Sequence, residues 1–258
     1  MPTPPASWKT PEASIILACT PRSGSTYLAQ LLDSTGLFRL TEEYFNDRHI
    51  ERMTGIATTS VEQKLAIIDQ HSRTRRNQIS LKLFPPNMMT VLEHGLLKKA
   101  FLNPMFIYMR RGDVLGQAMS LARAVKTDQW NSVDYGRPVS SEYDRRDIEH
   151  QLGILLAQDT WWQYFFATRD VPVLRLTYED VEEDPVAVAA QIVRFLGFDP
   201  AEFPADPSKV RLQKQRDELT DEWRSRFLAE EHAIPQPWDG RPKARTLRNA
   251  IRFLRGTL

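Results

Sequence analysis

The sequence predicts a three-layer α/β fold with a mainly parallel central sheet. Short apolar segments typical of strands alternate along the chain with longer amphipathic segments of helical period. Strands separated by helices need crossover connections, which make neighbouring strands parallel. A length of 258 residues with 41% apolar content is enough for one hydrophobic core of ordinary size. We therefore expect one domain over 14–236, preceded by a Pro-rich segment at 1–13 and followed by a basic extension at 237–258.

The predicted strands are short apolar segments that end at turn signals. They are 14–19, 79–84, 104–109 and 173–177. The first of them, 14–19, is a nearly continuous apolar run, which is typical of a buried strand. Pro85 and Pro86 directly follow the second strand, and it ends there because proline cannot donate a hydrogen bond to a sheet.

The predicted helices are indicated by caps and by apolar residues at helical spacing. Ser60 with Gln63 forms a capping box, and Asp113 is the expected N-cap of a helix that reaches about Val125. Gly197 is placed to end the last predicted helix. The other predicted segments are a helix after the first strand, helices at 147–168 and 186–196, and a surface loop or lid at 128–143.

Cysteine and histidine usage and the first residues limit the class of protein. Cys19 is the single cysteine, so a disulfide framework and four-cysteine zinc sites are excluded, as expected for a protein of the reducing cytoplasm. The five histidines show no metal-ligand spacing, so no metal site is expected. The first residues have no charged region followed by an apolar stretch, and no apolar run reaches membrane-spanning length. We therefore expect neither a signal peptide nor a membrane anchor.

A basic tail follows a mildly acidic body. Residues 241–258 contain six basic and no acidic side chains, which leaves −5 on the rest of the chain because the whole chain carries +1. An acidic body disfavours nonspecific nucleic-acid binding, so no nucleic-acid partner is expected. Leu247, Ile251, Leu254 and Leu258 recur at helical spacing among the arginines. This tail is a candidate for peripheral membrane contact or a homodimer contact, with packing on the protein's own core as the alternative.

The turn after the first strand has the features of a P-loop-like phosphate-binding turn. Gly24 permits close approach of an anion, and the amides from Ser23 to Thr26 open a helix whose dipole favours negative charge. Arg22 adds a planar pair of donors, and Ser25 and Thr26 add hydroxyl groups. The alternative is an ordinary turn capped by Ser23 or Ser25. The nucleoside-triphosphate motif is excluded because Ser25 stands where that motif has lysine and no earlier glycine is present.

Arg111 and Ser120 form a second candidate anion site. Arg111 ends the third strand, and Ser120 lies about two turns into the next helix. A strand-end arginine supplies charge to a phosphate, and a helix hydroxyl supplies a directed hydrogen bond. The alternatives are a salt bridge between Arg111 and Asp113 or a solvated helix face.

Several segments resemble sulfotransferases that use 3′-phosphoadenosine 5′-phosphosulfate (PAPS). Residues 21–26 resemble their 5′-phosphosulfate loop, and Arg111 with Ser120 resembles their 3′-phosphate motif. The other segments that match the superfamily are 176–181, 184–185 and 192–197. The segments that more narrowly resemble the bacterial trehalose 2-sulfotransferase family are 43–45, 111–120, 123–125 and 221–223. The resemblance covers roughly 14–230 and implies the sulfotransferase fold and PAPS as sulfuryl donor.

The resemblance implies in-line transfer of a sulfuryl group to a hydroxyl of a carbohydrate or glycolipid-like acceptor. A hydroxyl is a poor nucleophile at neutral pH, so a carboxylate should take its proton. The resemblance places this base at Glu43, with Glu42 as the alternative, and includes Tyr44 and Phe45 in the acceptor-binding segment. Without the resemblance, two solvated loop carboxylates are the ordinary interpretation.

Two basic side chains and a loop near the end of the matching region complete the site that the resemblance implies. Arg22 and Lys82, together with the loop amides, would meet the charge that develops on the leaving phosphate. Lys82 lies mid-strand, where a lysine is costly unless paired, and the alternative is an edge strand with this side chain in water. The resemblance also implies that Lys214, Gln215 and Arg216 belong to a loop that closes over the nucleotide, and ordinary surface charge is the alternative there.

The acceptor segment departs from the trehalose family. Residues 38–42 read Phe38-Arg-Leu-Thr-Glu42, where that family has a Gly-Glu-Pro-Gln-like run. We therefore expect a hydroxylated small molecule or glycan as acceptor. The aromatic residues at 161–166 could stack on a sugar, but their place on a long helix favours the core. The rival functions are a metal-dependent small-molecule kinase and a non-catalytic nucleotide-binding module.

Overall fold

The central sheet has four parallel strands. The computed structural model describes residues 4, 7–57, 60–130, 142–211 and 218–230. Within these ranges the strands are β1 (Ala13–Cys19), β2 (Gln78–Leu83), β3 (Pro104–Arg110) and β4 (Val173–Thr177), in the order β2-β1-β3-β4. All three strand pairs are parallel, which confirms the predicted α/β class.

Helices connect and cover the strands. The α-helices in the described ranges are α1 (Ser25–Ser34), α2 (Asp47–Thr54), α3 (Val61–His71), α4 (Pro85–Glu93), α5 (Leu96–Lys99), α6 (Val114–Thr127), α7 (Arg145–Ala167), α8 (Tyr178–Glu183), α9 (Pro185–Phe195) and α10 (Glu218–Ala229). Helices α1, α3, α6, α7 and α9 correspond to predicted helices, and the capping box of Ser60 with Gln63 and the cap by Asp113 are present. Pro85 not only follows β2 but also opens α4, because its fixed φ and missing N–H suit the first turn of a helix.

Alternate residues of β1 face two separate hydrophobic cores. Ile16 and Ala18 pack with buried side chains of α3, α4 and α7 on one face of the sheet. Ile15 and Leu17 pack with buried side chains of α1 and α9 on the other face. This alternation produces the three predicted layers, helix on sheet on helix.

The aromatic residues of α7 belong mainly to the core. Trp162, Phe165 and Phe166 are buried and make edge-on or tilted ring contacts with Phe106 of β3, whereas 67% of Tyr164 is exposed. These contacts favour the core interpretation over sugar stacking. Among the helices that the structure describes, none is both long and apolar enough to cross a membrane.

The strand order places β1 between β2 and β3, where the chain changes direction across the sheet. Ligands of open α/β sheets bind at the carboxyl ends of strands beside such a switch point. The register aligns Leu17 of β1 with Lys82 on one side and with Ile107 on the other. The segments that follow β1, β2 and β3 therefore lie close together at the carboxyl ends of the strands.

Candidate active site

The loop between β1 and α1 leaves the first amides of α1 without a side-chain cap. Gly24 is the N-cap residue with φ +84°, and no described side chain caps this helix. The alternative of a turn capped by Ser23 or Ser25 is therefore wrong. Ser23 Oγ is buried without a hydrogen-bond partner among the described residues. Unpaired amides at the positive end of a helix favour an anion.

Gly24 also lies in close contact with Tyr178, the first residue of α8. A Cβ atom at position 24 would lie 2.8 Å from Cε2 of Tyr178. Glycine is thus required both by the left-handed φ and by the space that the tyrosine ring occupies. Tyr178, which directly follows β4, therefore packs against the loop between β1 and α1.

Gln117 of α6 and Trp162 of α7 hold the end of β1 and the start of the loop. Nε2 of Gln117 donates to Thr20 Oγ1 at 2.8 Å and to the Pro21 carbonyl at 2.6 Å. Nε1 of Trp162 donates to the Cys19 carbonyl at 2.9 Å. Neither residue is predicted from the sequence to contact this loop. An amide within the apolar face of a helix was the available signal for Gln117.

Arg22 reaches from the loop to α6. Its Nε donates to Ser120 Oγ at 2.9 Å, and its NH1 donates to the Trp130 carbonyl. The Arg22 backbone is left-handed, with φ 62°. The guanidinium therefore lies beside the hydroxyl that is predicted to hold the second phosphate, so the two predicted anion positions adjoin each other.

Arg111 lies directly after β3 and over the Tyr178 ring, with Cζ 4.8 Å from the ring centroid. Its NH1 donates to the Arg22 carbonyl at 3.4 Å, and its Nε is buried without a hydrogen-bond partner among the described residues. The carboxylate of Asp113 forms a salt bridge with Arg224, whose NH2 lies 2.5 Å from Asp113 Oδ2. The alternative of a salt bridge between Arg111 and Asp113 is therefore wrong, because another arginine takes that carboxylate.

Glu179 of α8 holds the turn that follows Arg111. The amide of Gly112 donates to its Oε2 at 3.1 Å, and the amide of Asp113 donates to its Oε1 at 3.3 Å. Tyr178 and Glu179 are consecutive, so the start of α8 contacts both candidate anion loops.

Lys82 of β2 is buried beside the start of α1, with 2% of its side chain exposed. Its Nζ lies 3.1 Å from Glu43 Oε1 and donates to Thr26 Oγ1 at 3.0 Å, while Asn46 Nδ2 donates to Glu43 Oε2 at 2.8 Å. The alternative that Lys82 points to water is therefore wrong, although β2 is an outer strand of the described sheet.

Burial disfavours the charged form of Lys82 and the charged form of Glu43. The attraction of Glu43 and Glu42 nevertheless raises the pKa of Lys82, and Lys82 with Asn46 lowers the pKa of Glu43.

Glu42 has a different partner from Glu43. Its Oε2 lies 2.9 Å from His49 Nε2, and its carbonyl accepts a hydrogen bond from the Lys82 amide at 2.9 Å. Glu42 also forms an isolated parallel β-bridge with Leu81, so its backbone lies beside β2. This backbone contact directs the next side chain, Glu43, toward Lys82.

The remaining predicted site residues are buried or not described. Tyr44 and Phe45 lie in the core with 0% and 6% exposure, whereas the side chains of Glu42 and Glu43 are 20% and 15% exposed. Lys214, Gln215 and Arg216 lie outside the described residues, as do 131–141 of the predicted lid and the whole basic extension. Where the chain is described, no three His, Cys, Asp or Glu side chains are grouped as a metal site.

A model of the Stf0 sulphotransferase family matches residues 73–230, which is more than half of the chain. The chain belongs to the Stf0 sulphotransferase family. The part that matches the Stf0 model contains Lys82, Arg111 and Ser120. Gly24 and Glu43 precede it, so their assignment depends on the geometry and on the sequence resemblance.

Two curated relatives are trehalose 2-sulfotransferases. The one from Mycobacterium tuberculosis is 30% identical over 135 residues, which are 52% of this chain and 49% of that protein. The one from Mycolicibacterium smegmatis is 32% identical over 126 residues, which are 48% and 46% of the two chains. The chain spans about half the length of the curated relatives it matches.

A solved sulfotransferase from Alicyclobacillus acidocaldarius is similar in fold. Its TM-score is 0.52 at 15% identity, over 84% of this chain and 92% of that chain. This similarity confirms the predicted sulfotransferase fold.

Proposed function

We propose that this Stf0 family member transfers the sulfuryl group of PAPS to a hydroxyl of a carbohydrate or glycolipid-like acceptor, with Glu43 as the general base. The observation that carries the proposal is the buried array in which Lys82 contacts both Glu43 and Thr26, which lies at the uncapped start of α1. A carboxylate that can accept a proton thus lies one side chain away from a loop that can bind the donor. The names of the two curated relatives support this reaction class.

The arrangement of donors fits a nucleotide with two anionic ends. The uncapped amides after Gly24 would bind the 5′-phosphosulfate, and Arg111 with Ser120 would bind the 3′-phosphate. Arg22 lies between these positions and can donate to either. The unpaired Arg111 Nε and Ser23 Oγ are the buried polar atoms that such a ligand would satisfy.

The proposed reaction uses these side chains in turn. Glu43 accepts the proton of the acceptor hydroxyl as the bond between its oxygen and the sulfur forms. The bond between sulfur and the 5′-phosphate oxygen breaks, and its electron pair stays on that oxygen. Lys82, Arg22 and the loop amides stabilise the resulting charge. The lowered pKa of Glu43 keeps this carboxylate ionised at neutral pH, so the base is available there.

The proposed class of acceptor rests on the reaction, which needs a hydroxyl group, more than on the named substrate of the two curated relatives. Residues 38–42 lack the run that is typical of the trehalose family, so we propose a hydroxylated sugar or glycolipid head group and not trehalose in particular. The nucleotide contacts of 214–216, the tail contacts, the domain bounds and the cytoplasmic location stay predictions.

Incubation of the full chain with radiolabelled PAPS and a panel of sugars and glycolipids tests the function. We expect a labelled sulfate ester, formed equally well with EDTA and with Mg²⁺. A metal-dependent kinase would instead phosphorylate the acceptor from ATP and stop in EDTA. A nucleotide-binding module would bind PAPS without turnover. Either of these results would contradict the proposal.

Arg111→Ala should weaken binding of adenosine 3′,5′-bisphosphate by about tenfold or more, because a charge-assisted contact to phosphate contributes roughly 1.5–3 kcal/mol. Binding of adenosine 5′-monophosphate should change little, since it lacks the 3′-phosphate. Calorimetric titration measures both affinities. The matched control is Arg169→Ala, which removes an arginine that also lies over an aromatic ring, that of Phe165. Equal loss for both nucleotides would contradict the assignment.

Gly24→Ala should weaken binding of both nucleotides, by about tenfold, because an alanine there would be strained at φ +84° and would displace Tyr178. The control is Gly153→Ala in α7, where a Cβ meets nothing within 4 Å and φ is not left-handed. Alanine at 153 should preserve affinity and raise the melting temperature slightly. Unchanged affinity in Gly24→Ala would show that the loop does not bind the nucleotide.

A further inference from the structure

Asp33, near the end of α1, accepts hydrogen bonds from the loop that carries Glu43. The Thr41 amide donates to Asp33 Oδ2 at 3.3 Å, and Thr41 Oγ1 donates to Asp33 Oδ1 at 3.0 Å. Thr41 Oγ1 is also 2.9 Å from Ser80 Oγ of β2, and both hydroxyl-bearing residues are buried. A carboxylate of α1, a hydroxyl of the loop and a hydroxyl of β2 thus form one polar chain, two residues before the base.

The backbone next to Thr41 is strained. Leu40 has φ 47°, a left-handed conformation that costs a non-glycine residue about 1–3 kcal/mol. Its carbonyl accepts a hydrogen bond from the Tyr44 hydroxyl at 2.6 Å. Such strain persists only where the surroundings fix the chain on both sides. Asp33 fixes the Thr41 side, and Tyr44 fixes the Leu40 carbonyl.

We propose that Asp33, acting through Thr41, is a positioning residue that holds Glu43 against Lys82. This inference rests on the proposed function, since it takes Glu43 as the general base. The bridge between Glu42 and β2 sets which way the Glu43 side chain points. The contacts of Thr41 fix how far the loop lies from α1 and β2, and misplacement of a reacting group by about 1 Å can cost roughly a hundredfold in rate.

The contact between Asp33 and Thr41 depends on the charge of Asp33. An ionised carboxylate accepts both Thr41 hydrogen bonds, whereas a protonated one presents a donor at one oxygen. Burial and the charge of Glu42 raise the pKa of Asp33 to about 6, against the hydrogen bonds of Thr41. The titratable groups that face Asp33 are Glu42 and Tyr44, and Tyr44 also faces Arg39. We therefore expect the base to be held less firmly as the pH falls through about 6.

Thr41→Val tests the positioning role with little change in shape. We expect kcat to fall by roughly ten- to a hundredfold, with KM for PAPS within about twofold, because only the base is displaced. Thr41→Ser restores the hydroxyl and should recover most of the rate. The control is Thr168→Val, whose hydroxyl donates to the Tyr164 carbonyl at the end of α7, away from the site.

The pH dependence separates positioning from a general loss of structure. In the wild type, kcat should fall on the acid side with an apparent pKa of about 6. In Asp33→Asn that acid limb should disappear, and kcat should be low and flat through the same range. The lowered pKa of Glu43 places the protonation of the base itself at more acid pH.

A measurement without turnover tests the positioning independently of the reaction. In protein with carboxyl-labelled glutamate, NMR titration should place the pKa of Glu43 below its ordinary value in the wild type and nearer to it in Thr41→Val. Absence of labelled product from the wild type would contradict the proposed function alone. A folded Thr41→Val protein with unchanged kcat and unchanged Glu43 titration would overturn the positioning role.

Discussion

Glu43→Gln should lower kcat by roughly 10²–10⁴-fold while nucleotide binding persists. An amide cannot accept the hydroxyl proton, and general-base catalysis contributes roughly 10²–10⁴-fold, so kcat should fall by that factor. Glutamine has nearly the same shape, and its carbonyl oxygen can still accept a hydrogen bond from Lys82. Affinity for adenosine 3′,5′-bisphosphate should therefore stay within about twofold. Single-turnover assays with radiolabelled PAPS and calorimetric titration measure the two quantities.

Glu42→Gln is the comparison for this result. Glu42 lies against His49 and joins β2 through its backbone, so the amide should lower kcat far less and act mainly on KM for the acceptor. Retained turnover in Glu43→Gln together with lost turnover in Glu42→Gln would transfer the role of base to Glu42.

Lys82→Met should have the second large effect, on both catalysis and stability. Loss of the cation that is proposed to stabilise the leaving oxygen should lower kcat by roughly 10²–10³-fold. The same change leaves the buried Glu43 carboxylate without its partner, and breaking a buried pair from one side costs about 3–5 kcal/mol of unfolding free energy.

The contribution of Glu43 to the free energy of unfolding should depend on pH in opposite directions in the wild type and in Lys82→Met. In the wild type the lowered pKa of Glu43 contributes stability above its ordinary value of 4.5, and that stability is lost as the pH falls through the folded-state value. In Lys82→Met the burial of Glu43 is no longer opposed by the lysine charge. The Asn46 hydrogen bond remains, but burial is the larger effect, so the pKa of Glu43 should rise above 4.5. The variant should then gain stability on acidification from neutral pH. Urea unfolding at several pH values measures this slope.

The matched control is Lys64→Met. Lys64 is also buried and lies 2.7 Å from Asp47, but that carboxylate is 59% exposed and can return to water. The cost in stability should be smaller, and kcat of the folded protein should be retained. Equal loss of kcat in both lysine variants would mean that Lys82 acts only through folding.

Local signals in the sequence predicted the sheet well. The bounds of β4 are those expected, and the caps at Ser60 and Asp113 are present, because a cap or a short apolar run depends on adjacent residues alone. Helix α4 was missed because a proline pair both ends a strand and opens a helix. Helix α8 was missed because it is short and its capping box at Thr177 lies at the end of a strand.

The site was predictable where one segment carries the chemistry and was not where distant segments meet. The loop around Gly24 has a local pattern, so its uncapped helix start could be expected. The burial of Lys82 depends on Glu43, which lies on another segment. The roles of Gln117 and Asp33 arise from hydrogen bonds to residues that contact them only in the folded chain. The place of Gln117 on an apolar helix face indicates a buried amide but not its partners, and no spacing in the sequence indicates Asp33.

The backbone bridge between Glu42 and Leu81 has a consequence for how this chain can vary. Glu43 and Lys82 each follow a member of that bridge, so a single inserted or deleted residue on either side would turn one of the two side chains to the opposite face of the sheet. Natural variants should therefore keep constant lengths at 41–43 and 80–82. Length changes should be tolerated at 55–57, directly after α2, where the described hydrogen bonds of Gly55 and Ile56 are to α2 itself.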